Sequence, residues 1–257
     1  MAFLKTSNPA LGDKTFQNLA RTQYGGYPGE QTARMTLNGT VNKTGILLVL
    51  AIASAAWTWH LFIQSESSAA VVPWMFGGLI GGFIFAMVTI FKKDWAPVTA
   101  PAYALLEGLA LGGISAYYEQ LHPSIAIQAV GLTFATLFTL LTAYRLGLIP
   151  VTQKFRLGIV AATGGIAVFY LVEMVLGMFG IHFTSINGSG AIGIGFSLIV
   201  VVVAALNLVL NFDVIERGVQ YGAPKYMEWY GAFGIMVTLV WLYLEILNLL
   251  AKLNRRN

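Results

Sequence analysis

The sequence predicts an all-α fold, a polytopic membrane helix bundle of about seven transmembrane helices. Three observations carry that prediction. First, 57% of the residues are apolar and only 10% are charged, too little charge to cover the surface of a water-soluble domain. Second, the apolar residues are not spread evenly but gather into seven stretches, at 45–64, 73–91, 99–118, 124–144, 157–180, 190–212 and 229–251. Each is long enough to cross about 30 Å of hydrocarbon as a helix. Third, the stretches lack the short alternating pattern of a membrane β-barrel.

The chain divides by composition into a leader at 1–43, polar, basic and expected to be cytoplasmic, and a seven-helix transmembrane domain at 44–257. The leader holds the loose run Gly25-Gly26-Tyr27-Pro28-Gly29 and shows no signal peptide. Prolines 73, 97, 101, 123, 150 and 224 fall near predicted helix ends, where a missing N–H is tolerated. Trp57, Trp59, Trp74, Trp95 and Trp229 also lie near ends, as amphipathic rings at a membrane interface do. Gly77-Gly78 with Gly81-Gly82, and Gly108 with Gly112, place small residues four apart on the second and third spans, a spacing that lets helix backbones approach closely.

Lysine and arginine set the orientation. The leader carries Lys5, Lys14, Arg21, Arg34 and Lys43, and the even-numbered loops carry Lys92, Lys93, Arg145, Lys154, Arg156, Arg217 and Lys225. The first, third and fifth loops carry none, which places the amino terminus inside. Seven crossings then put the carboxyl terminus outside, in conflict with Lys252, Arg255 and Arg256. Either that tail breaks the rule or the last segment does not cross fully.

An acidic side chain at mid-membrane costs roughly 2.5–3.5 kcal/mol on insertion scales. Glu107, Glu173, Asp213 and Glu245 therefore stand out, with His60 a weaker candidate. No lysine or arginine lies inside the apolar stretches. The acids must be protonated, hydrogen-bonded, exposed to water or holding a cation, and the first and last of these together describe a proton-sensitive cation path. Trp241 and Asn248 flank Glu245 on one helix face, and Asn207 and Asn211 form a second polar pair. Asp213 and Arg217 are an (i, i+4) pair with Glu216 beside them, which ordinary local structure at a helix end also explains.

Other chemistries find little support. Cysteine is absent and the three histidines are scattered, so no zinc motif arises. One intramembrane aspartate does not make an aspartyl protease, and no phosphate-binding loop or basic, aromatic-laced nucleic-acid surface is present. The expectation is a protein that is not an enzyme, has no cofactor and binds no nucleic acid.

Several segments resemble the bacterial branch of the Bax inhibitor family. They are Met35-Thr36-Leu37-Asn38-Gly39-Thr40 with Asn42-Lys43-Thr44-Gly45, Ala104-Leu105-Leu106-Glu107-Gly108-Leu109, and Asn211-Phe212-Asp213-Val214-Ile215-Glu216-Arg217-Gly218. With them go Ala223-Pro224-Lys225-Tyr226-Met227-Glu228-Trp229 and Trp241-Leu242-Tyr243-Leu244-Glu245-Ile246-Leu247-Asn248. The resemblance implies a seven-helix bundle with the last helix central, and a pH-sensitive leak for cations, calcium above all, in a bacterial inner membrane. It also implies gating by paired carboxylates on the sixth and seventh helices, matched here by Asp213 and, with glutamate in place of aspartate, Glu245. The arginine that such proteins carry on the second helix is absent, and only Lys92 and Lys93 follow that span. The alternative function is a non-transporting regulator that binds membrane partners such as a quality-control protease. A proton-coupled transporter using Glu107 and Glu245 is a third reading.

Overall fold

The computed structural model describes residues 34–65, 68–180, 183, 186 and 188–255. The leader through residue 33, with its Gly25–Gly29 run, and Arg256 lie outside them. Among the described residues the chain forms seven long helices: α1 (Leu37–Ser65), α2 (Val72–Phe91), α3 (Ala96–Leu121), α4 (Ile125–Arg145), α5 (Gln153–Met178), α6 (Ala191–Gln220) and α7 (Met227–Asn254). All seven are long and apolar enough to cross a membrane, and no strand occurs among them. The protein is an integral, multi-pass membrane protein.

Each predicted apolar stretch falls on one helix, and most helices overrun their stretch. α1 starts at Leu37, ahead of the apolar run at 45, and α6 continues to Gln220, past the run ending at 212. Hydropathy marks the part of a helix that needs lipid. The backbone goes on satisfying its own N–H and C=O groups beyond it. Pro73 and Pro97 sit in the first turns of α2 and α3. Pro101 does not mark an end: it lies inside α3, where its missing N–H leaves the carbonyl of Pro97 without its usual helical donor. The Thr152 side chain caps α5 by accepting from Phe155 N at 3.2 Å. Gly222, at φ +67°, closes α6 with Ala223 N donating to Gly218 O at 3.0 Å.

The chain separates into two compact units. In the first, α1–α3 are joined by Asp213–Gln220 of α6 and Met227–Val237 of α7. Here α3 packs on both α1 and α2, through glycines. A Cβ at Gly108 would run into Ala51 and Ser54, one at Gly112 into Ala55 and Thr58, and one at Gly78 into the backbone of Leu106 and Ala110. Gly77, one residue from Gly78, faces open space. Thus in the Gly77-Gly78 doublet one glycine is the contact, as close backbone approach in lipid demands, whereas Gly81 and Gly82 both have α3 side chains close by. Tyr103 meets Phe233 edge-on at 5.0 Å between centroids.

The second unit comprises α4, α5, Ala191–Phe212 of α6 and the end of α7 from Thr238. Ile166, Val200 and Val203 form its core, with Tyr170, Phe196 and Trp241 packed against them. Asn207 Nδ2 donates to Thr163 Oγ1 and to Val203 O, both at 2.8 Å. Asn211 Nδ2 donates to Thr238 Oγ1 at 2.7 Å. The polar pair on the sixth span therefore ties α6 to α5 and α7. α7 is the most buried helix, with 67% of its apolar window covered against 11% for α5.

Candidate functional site

A carboxylate inside an apolar helix needs donors, and α7 supplies the first of them to Glu245 from its own preceding turn. Trp241 Nε1 donates to Glu245 Oε1 at 3.1 Å, the contact expected of residues four apart. The second donor crosses from α5, where the Tyr170 hydroxyl donates to the same oxygen at 2.9 Å. Glu245 is only 6% exposed, and its other oxygen, Oε2, is buried with no hydrogen-bond partner. The two oxygens are thus chemically distinct. Oε1 is held by two neutral donors and Oε2 is buried without one. Asn248, one turn further, is half-buried.

Glu173 is half-buried on α5 in the same unit. Its carboxylate and that of Glu245 both act electrostatically on Tyr170 and on Lys252. Lys252 was counted among the basic tail residues in the sequence, but it is not a tail residue in the structure. It lies on the last turn of α7, 6% exposed. Its ammonium donates to Ile186 O at 2.9 Å, Gly193 O at 3.3 Å and Ser197 Oγ at 2.8 Å. Since α7 is an unbroken helix of 28 residues, roughly 42 Å at 1.5 Å per residue, the final segment is long enough to cross. Lys252, being buried, does not count in the loop-charge rule.

The remaining predicted acids belong to the first unit. Glu107 is buried on α3, and a Cβ at Gly82 of α2 would come within 2.8 Å of its Oε2, so glycine at 82 makes room for the carboxylate. Asp213 is buried on α6 and receives Arg217 Nη2 at 3.5 Å, with Glu216 half-buried beside it. Asp213 and Glu245 fall in different units, each among its own neighbours. His60 is exposed on α1.

The charged residue that sequence reasoning passed over is Glu228. Its side chain is fully buried on the first turn of α7. Thr36 donates to Oε1 through N at 2.9 Å and Oγ1 at 2.8 Å, Lys225 Nζ donates to Oε1 at 2.7 Å, and Lys43 Nζ donates to Oε2. Met35 N adds a bond to Ala223 O at 2.7 Å, and Arg34 pairs with Pro224 as an isolated antiparallel bridge. The available signal was Lys225 three residues before Glu228, at the start of an apolar run. Arg156 is not a loop charge: it lies on α5 and is among the largest fully buried side chains.

Among the described residues no group of three or more His, Cys, Asp or Glu side chains is placed to hold a metal ion. A family described as Bax inhibitor 1 like matches residues 8–255 of the chain. No curated protein matches it, and no solved structure does.

Proposed function

This chain belongs to the Bax inhibitor 1 like family, and we propose that it is a proton-gated cation leak, with calcium the favoured ion. We place it in a bacterial cytoplasmic membrane, amino terminus inside. The observation that carries this reading is the divided carboxylate of Glu245. A proton on Oε2 gives a neutral acid that still accepts from Tyr170 and Trp241 through Oε1, and a neutral acid offers a cation little. Loss of that proton leaves a full negative charge at an oxygen with no donor, in surroundings where an unpaired charge is costly. A hard cation with oxygen-ligand preference relieves that cost. Protonation then closes the path and deprotonation opens it, with Glu173, Glu107 and Asp213 as the further acids that a cation meets.

The test is calcium flux into liposomes holding the purified protein, from about pH 5 to pH 8. Flux is expected to rise with pH, and Glu245→Gln, which fixes the acid in a neutral form, to flatten that rise. Asp213→Asn tests the sixth-helix acid in the same way. Absence of flux at every pH overturns the leak in favour of the regulator that binds a membrane protease. Flux indifferent to both substitutions moves the gate to Glu107 and Glu173.

A further inference from the structure

Lys252 has an unusual set of partners for a lysine at the end of a helix. An ammonium has three N–H donors, and all three are met by neutral oxygens: Ile186 O, Gly193 O and Ser197 Oγ, at 2.8 to 3.3 Å. None of these is a carboxylate. Ser197 is 1% exposed. The cage also has a backbone requirement, because a Cβ at Gly193 would collide with the carbonyls of Gly188 and Ile186. Glycine at 193 lets those carbonyls converge. Oxygen rings of this sort replace the hydration shell of a cation. Their distances to Nζ are those of ammonium hydrogen bonds, and potassium is a metal ion of nearly the same size as ammonium.

The positive charge placed there is the second observation. Lys252 follows Glu245 by two helical turns on α7 and feels the carboxylates of Glu245 and Glu173. Glu245 Oε2, meanwhile, is buried without a partner. A fixed ammonium two helical turns along from a carboxylate repels a cation approaching that carboxylate.

We propose that Ile186 O, Gly193 O and Ser197 Oγ form a binding cage for a primary ammonium or a potassium-sized ion, and that the Lys252 ammonium is its built-in occupant, acting as a tethered plug. The cage stands on these contacts alone; the plug rests on the leak proposed above. Releasing Lys252 empties the cage and removes the charge that guards Glu245.

Lys252→Ala deletes the equivalent of one n-propylammonium ion, so that ion is the probe. Purified Lys252→Ala is expected to gain thermal stability saturably with n-propylammonium or potassium, while the wild-type protein does not. An equal response of both proteins overturns the cage. In calcium-flux liposomes, Lys252→Ala is expected to leak severalfold faster than wild type and to slow again when n-propylammonium is added. A wild type that conducts while Lys252→Ala conducts no faster overturns the plug and leaves the leak standing. If neither protein conducts but n-propylammonium stabilises Lys252→Ala alone, the cage holds and the leak falls. Should Lys252→Ala fail to fold even with the ammonium present, Ser197→Ala decides, since it keeps the lysine and removes one acceptor. Faster flux than wild type supports the plug, and unchanged flux overturns it.

Discussion

Tyr170 and Trp241 reach one oxygen of Glu245 from two helices, so neither donor acts independently of the other. Removing one leaves the other in place and costs about 1 kcal/mol, the net value of a single hydrogen bond. Removing both strips a buried carboxyl of its donors. Tyr170→Phe and Trp241→Phe are therefore expected to be more than additive, with a coupling of about 0.5–3 kcal/mol in thermal unfolding of the detergent-solubilised protein; strict additivity would mean that the shared oxygen is not the link. Glu228 presents the opposite case, a carboxylate with four donors from Thr36, Lys43 and Lys225. Glu228→Gln keeps the shape but removes the charge that two lysines share. It is expected to destabilise by about 1–3 kcal/mol, the range for hydrogen bonds to charged groups, discounted because Lys225 is 48% exposed. An unchanged unfolding midpoint would show that solvent already satisfies both lysines.

Helix packing in lipid gains nothing from hiding one apolar surface against another, so contact depends on how closely two backbones approach. The glycines of α2 and α3 show this directly, and Gly77 and Gly78 separate within their doublet. Gly108→Leu would force a side chain into Ala51 and Ser54 of α1, whereas Gly77→Ala projects into open space. The first is expected to cost about 1–3 kcal/mol, the usual range for overpacking, and the second to leave the midpoint unchanged. Thermal unfolding of the two variants side by side checks the assignment, and reversed effects would contradict the packing of α3 on α1. The spacing of these glycines was legible in the sequence because four residues make about one helical turn. That Gly78 and not Gly77 faces the neighbour was not, since that depends on a rotation that only the partner helix sets.

At the scale of the molecule, the orientation proposed here, amino terminus inside, follows from the basic even-numbered loops. The absence of cysteine makes that orientation easy to test with single introduced thiols. Ser65→Cys, at the end of α1, is expected to react with a membrane-impermeant maleimide on intact cells. Leu148→Cys, exposed after α4, is expected to react only after permeabilisation. The reverse pattern would invert the topology, and labelling of both from outside would break the seven-crossing count.

The sequence by itself determined the class and the seven long apolar helices found among the described residues, because hydropathy is a property of residues in order. It also carried the family, through segments such as Asn211–Gly218 and Trp241–Asn248. It did not determine where the cations go. Lys43, Lys225 and Lys252 lie just outside or at the margin of apolar runs, where a linear reading assigns them to loops. Folding brings all three onto partners, Glu228 or the oxygens of Ile186, Gly193 and Ser197. Tertiary structure decided this because a long lysine stem carries its charge several ångströms from its own backbone. The partner it finds belongs to another element, at a distance in sequence that no local pattern records.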